Sequence, residues 1–232
     1  MNLAQASEEA REQLGLRLIA YGIPAGFIED LVSRHNVVTY EKASQLFSRG
    51  APADLLFWIV SGLTKVYFPH SDGSRVLVHL AGPSELIGNV NHVDAKGRRV
   101  QSLQVEALTR CTAALLTREH IVNSLQALDR ENLLRTLEGL NIAWSSAAER
   151  FARFFGLTYR QRLEFTLREL GAKFGVRDSR GVVLMPELTQ TDLAEMVGCS
   201  RPMISRLVAD MKSDGLILNE YRRFVLLDRL AA

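Results

Sequence analysis

Three side chains near the C-terminus have the types and spacing to read a groove rich in hydrogen-bond acceptors. Arg201, Ser205 and Arg206 fall on one side of a helical pattern whose other side carries Ile204, Leu207, Val208 and Met211. Arginine presents two parallel donors to guanine O6 and N7, and base contacts come from the N-terminal part of a helix laid in the major groove of DNA. Pro202 sits between the two arginines; proline is tolerated in a first helical turn because its missing N–H has no intrahelical partner. Ahead of this helix, Thr189-Gln190-Thr191-Asp192 reads as a capping box that starts a helix over about 190–197. Gly198-Cys199-Ser200 then supplies a left-handed cap, a tight turn and the cap of the next helix. Helix, short glycine turn and helix make a helix-turn-helix. Thr189, Gln190 and Ser200 at the two helix starts join Arg201, Pro202, Ser205 and Arg206 as the residues expected at DNA. Leu216–Leu218, a polar turn and Phe224–Leu227 predict a two-stranded wing, with Arg222 and Arg223 at its tip over the phosphate backbone.

Chemistry of other kinds finds little support. No nucleophile and base are spaced for catalysis, so an enzyme is not expected. The five histidines (His35, His70, His79, His92 and His120) contain no His-x-His pair, which speaks against a cupin-like metal enzyme, and no metal site is expected. Cys111 and Cys199 lie far apart with no CxxC spacing, which argues against a disulfide framework, a structural zinc site and a cysteine-held iron–sulfur cluster. Both read as small buried hydrophobes.

The elements that position these residues follow from periodicity. Leu133, Leu137, Leu140, Trp144, Ala147, Phe151 and Phe154 recur at alternating spacings of 4 and 3. A stripe this narrow, held for about three heptads, suits two helices packed on each other, so these residues are expected to form a parallel homodimer seam. Leu163, Leu167, Leu170 and Phe174 mark a second amphipathic helix, followed by a hairpin turning at Asp178-Ser179-Arg180-Gly181. Between Val37 and Leu116 the chain shows short β-rich runs at 55–60, 63–68, 75–80, 85–87, 102–108 and 112–116, with a turn at Ser71-Asp72-Gly73-Ser74. That spacing predicts a sandwich or small barrel of antiparallel strands, flanked by N-terminal helical turns.

Of the 232 residues 47% are apolar and 23% charged, an ordinary balance for a globular chain. Residues 1–149 carry 14 Lys and Arg against 16 Asp and Glu, and residues 150–232 carry 14 against 10, so the halves are −2 and +4. The positive half is the one with the helix-turn-helix, which agrees with a nucleic-acid partner, although an ordinary fluctuation of surface charge gives a difference of this size as well. No apolar run reaches membrane-spanning length and Met1 to Arg11 is polar, so a cytoplasmic protein without membrane association is expected.

Leu188-Thr189-Gln190-Thr191-Asp192-Leu193-Ala194-Glu195-Met196-Val197-Gly198-Cys199-Ser200-Arg201, continuing to Ile204-Ser205-Arg206-Leu207, resembles the DNA-binding motif of Crp/Fnr transcription regulators. The resemblance implies an α+β chain: an N-terminal antiparallel β-barrel of the jelly-roll, cyclic-nucleotide-binding type, a long dimerisation helix and a C-terminal winged helix-turn-helix. The expected divisions are 1–128 for effector sensing, 129–156 for dimerisation and 157–232 for DNA. It further implies an effector-controlled homodimer on a palindromic site, with RNA polymerase as a partner. The family's recognition helix commonly carries a glutamate where Pro202 stands here.

In members that bind cyclic AMP, a Gly-Glu pair holds the ribose and an Arg-Ser pair the phosphate. This chain reads Gly88-Asn89 and Gln101-Ser102 at those places. A neutral glutamine cannot make the forked, charge-assisted pairing that favours a phosphate, which disfavours cyclic AMP. Arg98 and Arg99 just upstream read as an exposed loop. Ser84-Glu85-Leu86-Ile87-Gly88 after Leu80-Ala81-Gly82 is similar to the branch that senses halogenated phenolic compounds. That branch places its ligand between barrel and long helix, so His79, Gly88, Asn89, Asn91, His92, Gln101, Ser102, Asn141 and Trp144 are the candidate effector residues. Haem held by a histidine is the rival effector.

Overall fold

A computed structural model describes residues 36–83, 85–89, 92–220 and 223–231. The expected N-terminal helical turns, Ser84, Asn91 and Arg222 lie outside them. By its internal contacts the chain divides into two units, 1–148 and 149–232.

Among the described residues the first unit holds eight antiparallel strands: β1 Val37–Tyr40, β2 Gln45–Phe47, β3 Leu55–Ser61, β4 Thr64–Pro69, β5 Arg75–Ala81, β6 Leu86–Ile87, β7 Gln104–Ala107 and β8 Cys111–Thr117. They form two four-stranded sheets, ordered β1-β8-β3-β6 and β2-β7-β4-β5. Side chains from both sheets, among them Phe47, Phe57, Ile59, Val66, Val105 and Ala113, build one shared core. The Phe47 and Phe57 rings, one from each sheet, meet at 4.9 Å. Each of the larger of these side chains, Phe, Ile or Val, when fully buried stabilises the fold by about 1.5–3 kcal/mol. The expected jelly-roll of antiparallel strands is present as two facing sheets, and among the described residues no strand pairing joins one sheet's edge to the other. The strands read from sequence are present with shifted ends. β1 and β2, of four and three residues, are not among the expected runs.

Two helices follow: α1 Arg118–Gln126, whose N-cap Thr117 accepts from the His120 backbone N–H, and α2 Arg130–Phe155. The 26 residues of α2 are about 39 Å long at the usual rise per residue. Thr136 is buried at 3% exposure, whereas the apolar stripe of the same helix is open: Leu137 is 54%, Leu140 55%, Trp144 75% and Phe151 64% exposed. Leu134, Ile142 and Phe155 add further exposed apolar surface.

In the second unit α3 Tyr159–Phe174 starts at a capping box made by Thr158 and Gln161 and buries Leu163, Thr166, Leu167 and Leu170. β9 Gly175–Asp178 and β10 Gly181–Leu184 form the expected hairpin. Helices α4 Gln190–Val197 and α5 Arg201–Ser213 come next, then the wing strands β11 Ile217–Glu220 and β12 Arg223–Leu226 and a last turn of helix, α6 Asp228–Ala231. The wing does not stand alone: β12 also pairs with β10, giving a four-stranded sheet ordered β11-β12-β10-β9. Leu184, Leu188, Leu193, Ile204 and Phe224 are each at most 1% exposed and join helices to sheet.

Candidate nucleic-acid interface and effector site

Both helices of the C-terminal pair are set by their caps. The Thr189 hydroxyl accepts from the Asp192 backbone N–H at 3.1 Å, and Asp192 Oδ2 accepts in return from the Thr189 backbone N–H at 2.9 Å and its hydroxyl at 2.8 Å. Asp192 is 3% exposed, so its charge is held by these donors and the positive end of α4. Gly198 ends that helix in the left-handed region with φ 77°, and its N–H closes on the Ala194 carbonyl. A β-carbon at Gly198 would meet nothing nearer than 3.9 Å, so space is no obstacle there. Gly198→Ala is therefore expected to cost only the left-handed backbone strain, about 1 kcal/mol. Thermal unfolding should show a fall of a few degrees with DNA binding kept; loss of the fold would contradict it.

Ser200 caps α5 by accepting from the Met203 backbone N–H, with Pro202 in the first turn. Ile204, Leu207, Val208 and Met211 face inward, and Arg201, Pro202, Ser205 and Arg206 are exposed, as their spacing requires. The Ser205 hydroxyl donates to Gln190 Oε1 at 2.9 Å, tying the recognition face to the start of α4. This pairing has no sequence signal, since 15 residues separate its members. Arg223 opens β12 opposite Glu220 and is exposed. Thr189, Gln190, Ser200, Arg201, Pro202, Ser205, Arg206 and Arg223 thus belong to one helix-turn-helix and its wing.

Cys199 lies in the turn between the helices. It is half-buried, which corrects the expectation that both cysteines are buried; its thiol is pushed up by burial against the opposing pull of Arg162. Cys111 is fully buried, and burial pushes its thiol up to about 11, so it is an inert hydrophobe.

In the first unit the structure gathers Gly88, Asn89, His92, Gln101 and Ser102. The Asn89 side chain donates to the Ser102 hydroxyl at 3.0 Å and accepts from the His92 backbone N–H at 3.1 Å. A cavity of about 250 Å³ adjoins this cluster, lined in part by Arg49, Phe68, His92, Asp94, Gln101 and Ser102. The Arg49 guanidinium lies 4.7 Å over the Phe68 ring and donates to the Pro69 carbonyl at 2.8 Å. Arg49, Phe68 and Asp94 were missed in sequence, where nothing marks loop residues that meet only on folding. Asp94 holds its loop by accepting from the Lys96 and Arg98 backbone N–H groups and pairing with the Arg98 side chain. Those bonds, led by the Arg98 backbone, keep its carboxyl below the usual carboxylate range. His79 is engaged elsewhere, its Nε2 3.1 Å from Glu85 Oε1. Asn141 and Trp144 stand exposed on α2.

Residues 37–127 match the family model of the cyclic nucleotide-binding domain, and residues 149–231 match that of the Crp-like helix-turn-helix domain. With both, in this order, the chain belongs to the Crp-like transcriptional regulators, DNA-binding proteins under effector control. It is similar to the CRP-like cAMP-activated global transcriptional regulator of Mycobacterium tuberculosis, 26% identical over 219 residues that span 90% of this chain and 92% of that one. Among solved structures it shares its fold with the c-di-GMP responsive global regulator CLP of Xanthomonas campestris, at a TM-score of 0.71 and 22% identity, covering 88% of this chain and 99% of the other. CprK complexed with OCPA is similar at a TM-score of 0.61 and 17% identity, covering 88% and 91%. The family regulates transcription and is not one of enzymes. Among the described residues no helix is long and apolar enough to cross a membrane.

Proposed function

We propose that this regulator is a cytoplasmic homodimer that joins through α2, grips a palindromic DNA site through α4, α5 and the wing, and answers a small organic effector other than cyclic AMP. The divisions 1–128, 129–156 and 157–232 serve sensing, dimerisation and DNA binding, and RNA polymerase is the partner on DNA. The observation that carries the reading is the exposed row Arg201, Ser205 and Arg206 on a capped helix whose opposite face is buried. The exposed stripe of α2 supports a second copy as its cover, because an apolar patch of this kind on a lone chain marks an interface.

The relatives are described by different ligands, so kinship does not choose the effector; the residues do. Gln101 stands where a phosphate-binding arginine is expected, and Arg49 beside the Phe68 ring borders the open cavity. Cation and ring together favour a small aromatic acid. Thermal-shift screening of small aromatic acids, cyclic AMP and haem against the full chain tests this. A shift with the acids that also changes affinity for an operator fragment is expected. A Soret band in the purified protein, or micromolar binding of cyclic AMP, would overturn the effector assignment.

A further inference from the structure

We propose that Gln101 is a built-in occupant of the effector site, its amide tying Asn89 to Leu55 where a ligand's polar groups would otherwise be needed and shutting phosphate groups out. Gln101 is 1% exposed, and both its amide N–H donors and its amide oxygen are engaged within the chain. Its Oε1 accepts from the Asn89 backbone N–H at 3.0 Å, while Nε2 donates to the Leu55 carbonyl at 3.0 Å and the Asn89 carbonyl at 3.2 Å. Its backbone is held as well, donating to the Ala51 carbonyl and accepting from Gly50. Gly88 turns beside it at φ 95°, and a β-carbon there would press to 3.3 Å from Oε1, so the loop closes down on the amide.

The pattern of partners decides what can sit there. Two carbonyl oxygens and one N–H converge on the amide group, so the occupant must donate twice and accept once. A neutral amide does both. A phosphate oxygen has no proton to give the carbonyls and would meet two acceptors with a negative charge, in a place with little water to screen it. Specificity against cyclic phosphates therefore comes from this residue, and the effector binds in the adjoining cavity beside the amide without displacing it. This rests on the effector-controlled reading above and adds which part of the site is closed.

Hydrogen exchange on the full-length protein tests the claim without any ligand. In the wild type the Asn89 amide should be protected. In Gln101→Ala it should exchange roughly tenfold faster, the worth of one buried hydrogen bond, while the Ala113 amide in the sheet core stays protected. Gln101→Glu keeps the shape and the acceptor but loses both donations, so it should unfold at a lower temperature than wild type at neutral pH. That gap should narrow on acidification, because a protonated carboxyl can again donate. Cyclic AMP titrated to millimolar concentration should give no heat with the wild type. Unchanged Asn89 exchange in Gln101→Ala, a pH-independent Gln101→Glu, or binding of cyclic AMP by the wild type would overturn the proposal. Absence of specific DNA binding by the wild type would instead strike at the regulator reading, and the exchange result would be unaffected by it.

Discussion

Replacing Leu137 and Leu140 together by glutamate is expected to convert the protein to monomers that bind DNA weakly. The two side chains are 54% and 55% exposed in the single chain, so neither supports the fold of its own unit. Their surroundings on α2 are apolar, with Leu133, Leu134 and Trp144 also open. In a parallel pair of helices each side chain at such a position enters a hole on the partner, and its removal from a buried site costs about 2–5 kcal/mol. Charges add desolvation and like-charge repulsion across the two-fold axis. Sedimentation should report the monomer mass with an unchanged circular dichroism spectrum. A variant still dimeric would move the interface away from α2, and an unfolded one would mean that the stripe is part of the chain's own core.

The second large effect concerns sequence reading. Arg206→Ala is expected to cost about 1–3 kcal/mol in operator affinity and to relax the choice of base at one position in each half-site. Arg206 is exposed on α5, whose buried face is fixed by Ile204, Leu207, Val208 and Met211, so the substitution removes a contact and leaves the packing intact. Arg223 at the wing should behave differently, since a phosphate contact carries no base information. Arg223→Ala should weaken all sequences alike and lower the slope of log affinity against log salt by about one. Titrations at several salt concentrations, on the operator and on shuffled DNA, separate the two. Equal losses on both DNAs for Arg206→Ala would contradict its assignment to bases.

The helix-turn-helix was legible because its signals are local. Thr189 and Asp192 are three residues apart, and Gly198 and Ser200 are cap residues in the places where the helices end and begin. The α2 stripe was legible because its period is sustained over many residues. The sheets were less so: β1 and β2 are not among the expected runs, and the order β1-β8-β3-β6 pairs β1 with β8, more than 70 positions away. The effector cluster was half legible. Gln101 drew attention through what it lacks, a charge, whereas its three amide bonds depend on Leu55, 46 residues away, and on the turn at Gly88. Arg49 and Phe68 gave no sign at all, because a cation and a ring 19 residues apart acquire meaning only when β4 brings them together.

Selection of bound sites from random double-stranded DNA by the full-length protein tests the central claim most directly. The account predicts a two-fold symmetric consensus whose half-sites lie about one helical turn, roughly 34 Å, apart. Guanines should be fixed where Arg201 and Arg206 reach, and the pair facing Pro202 should vary, because proline cannot accept a bond from cytosine. No enrichment, or an asymmetric site with a strict preference opposite Pro202, would contradict it.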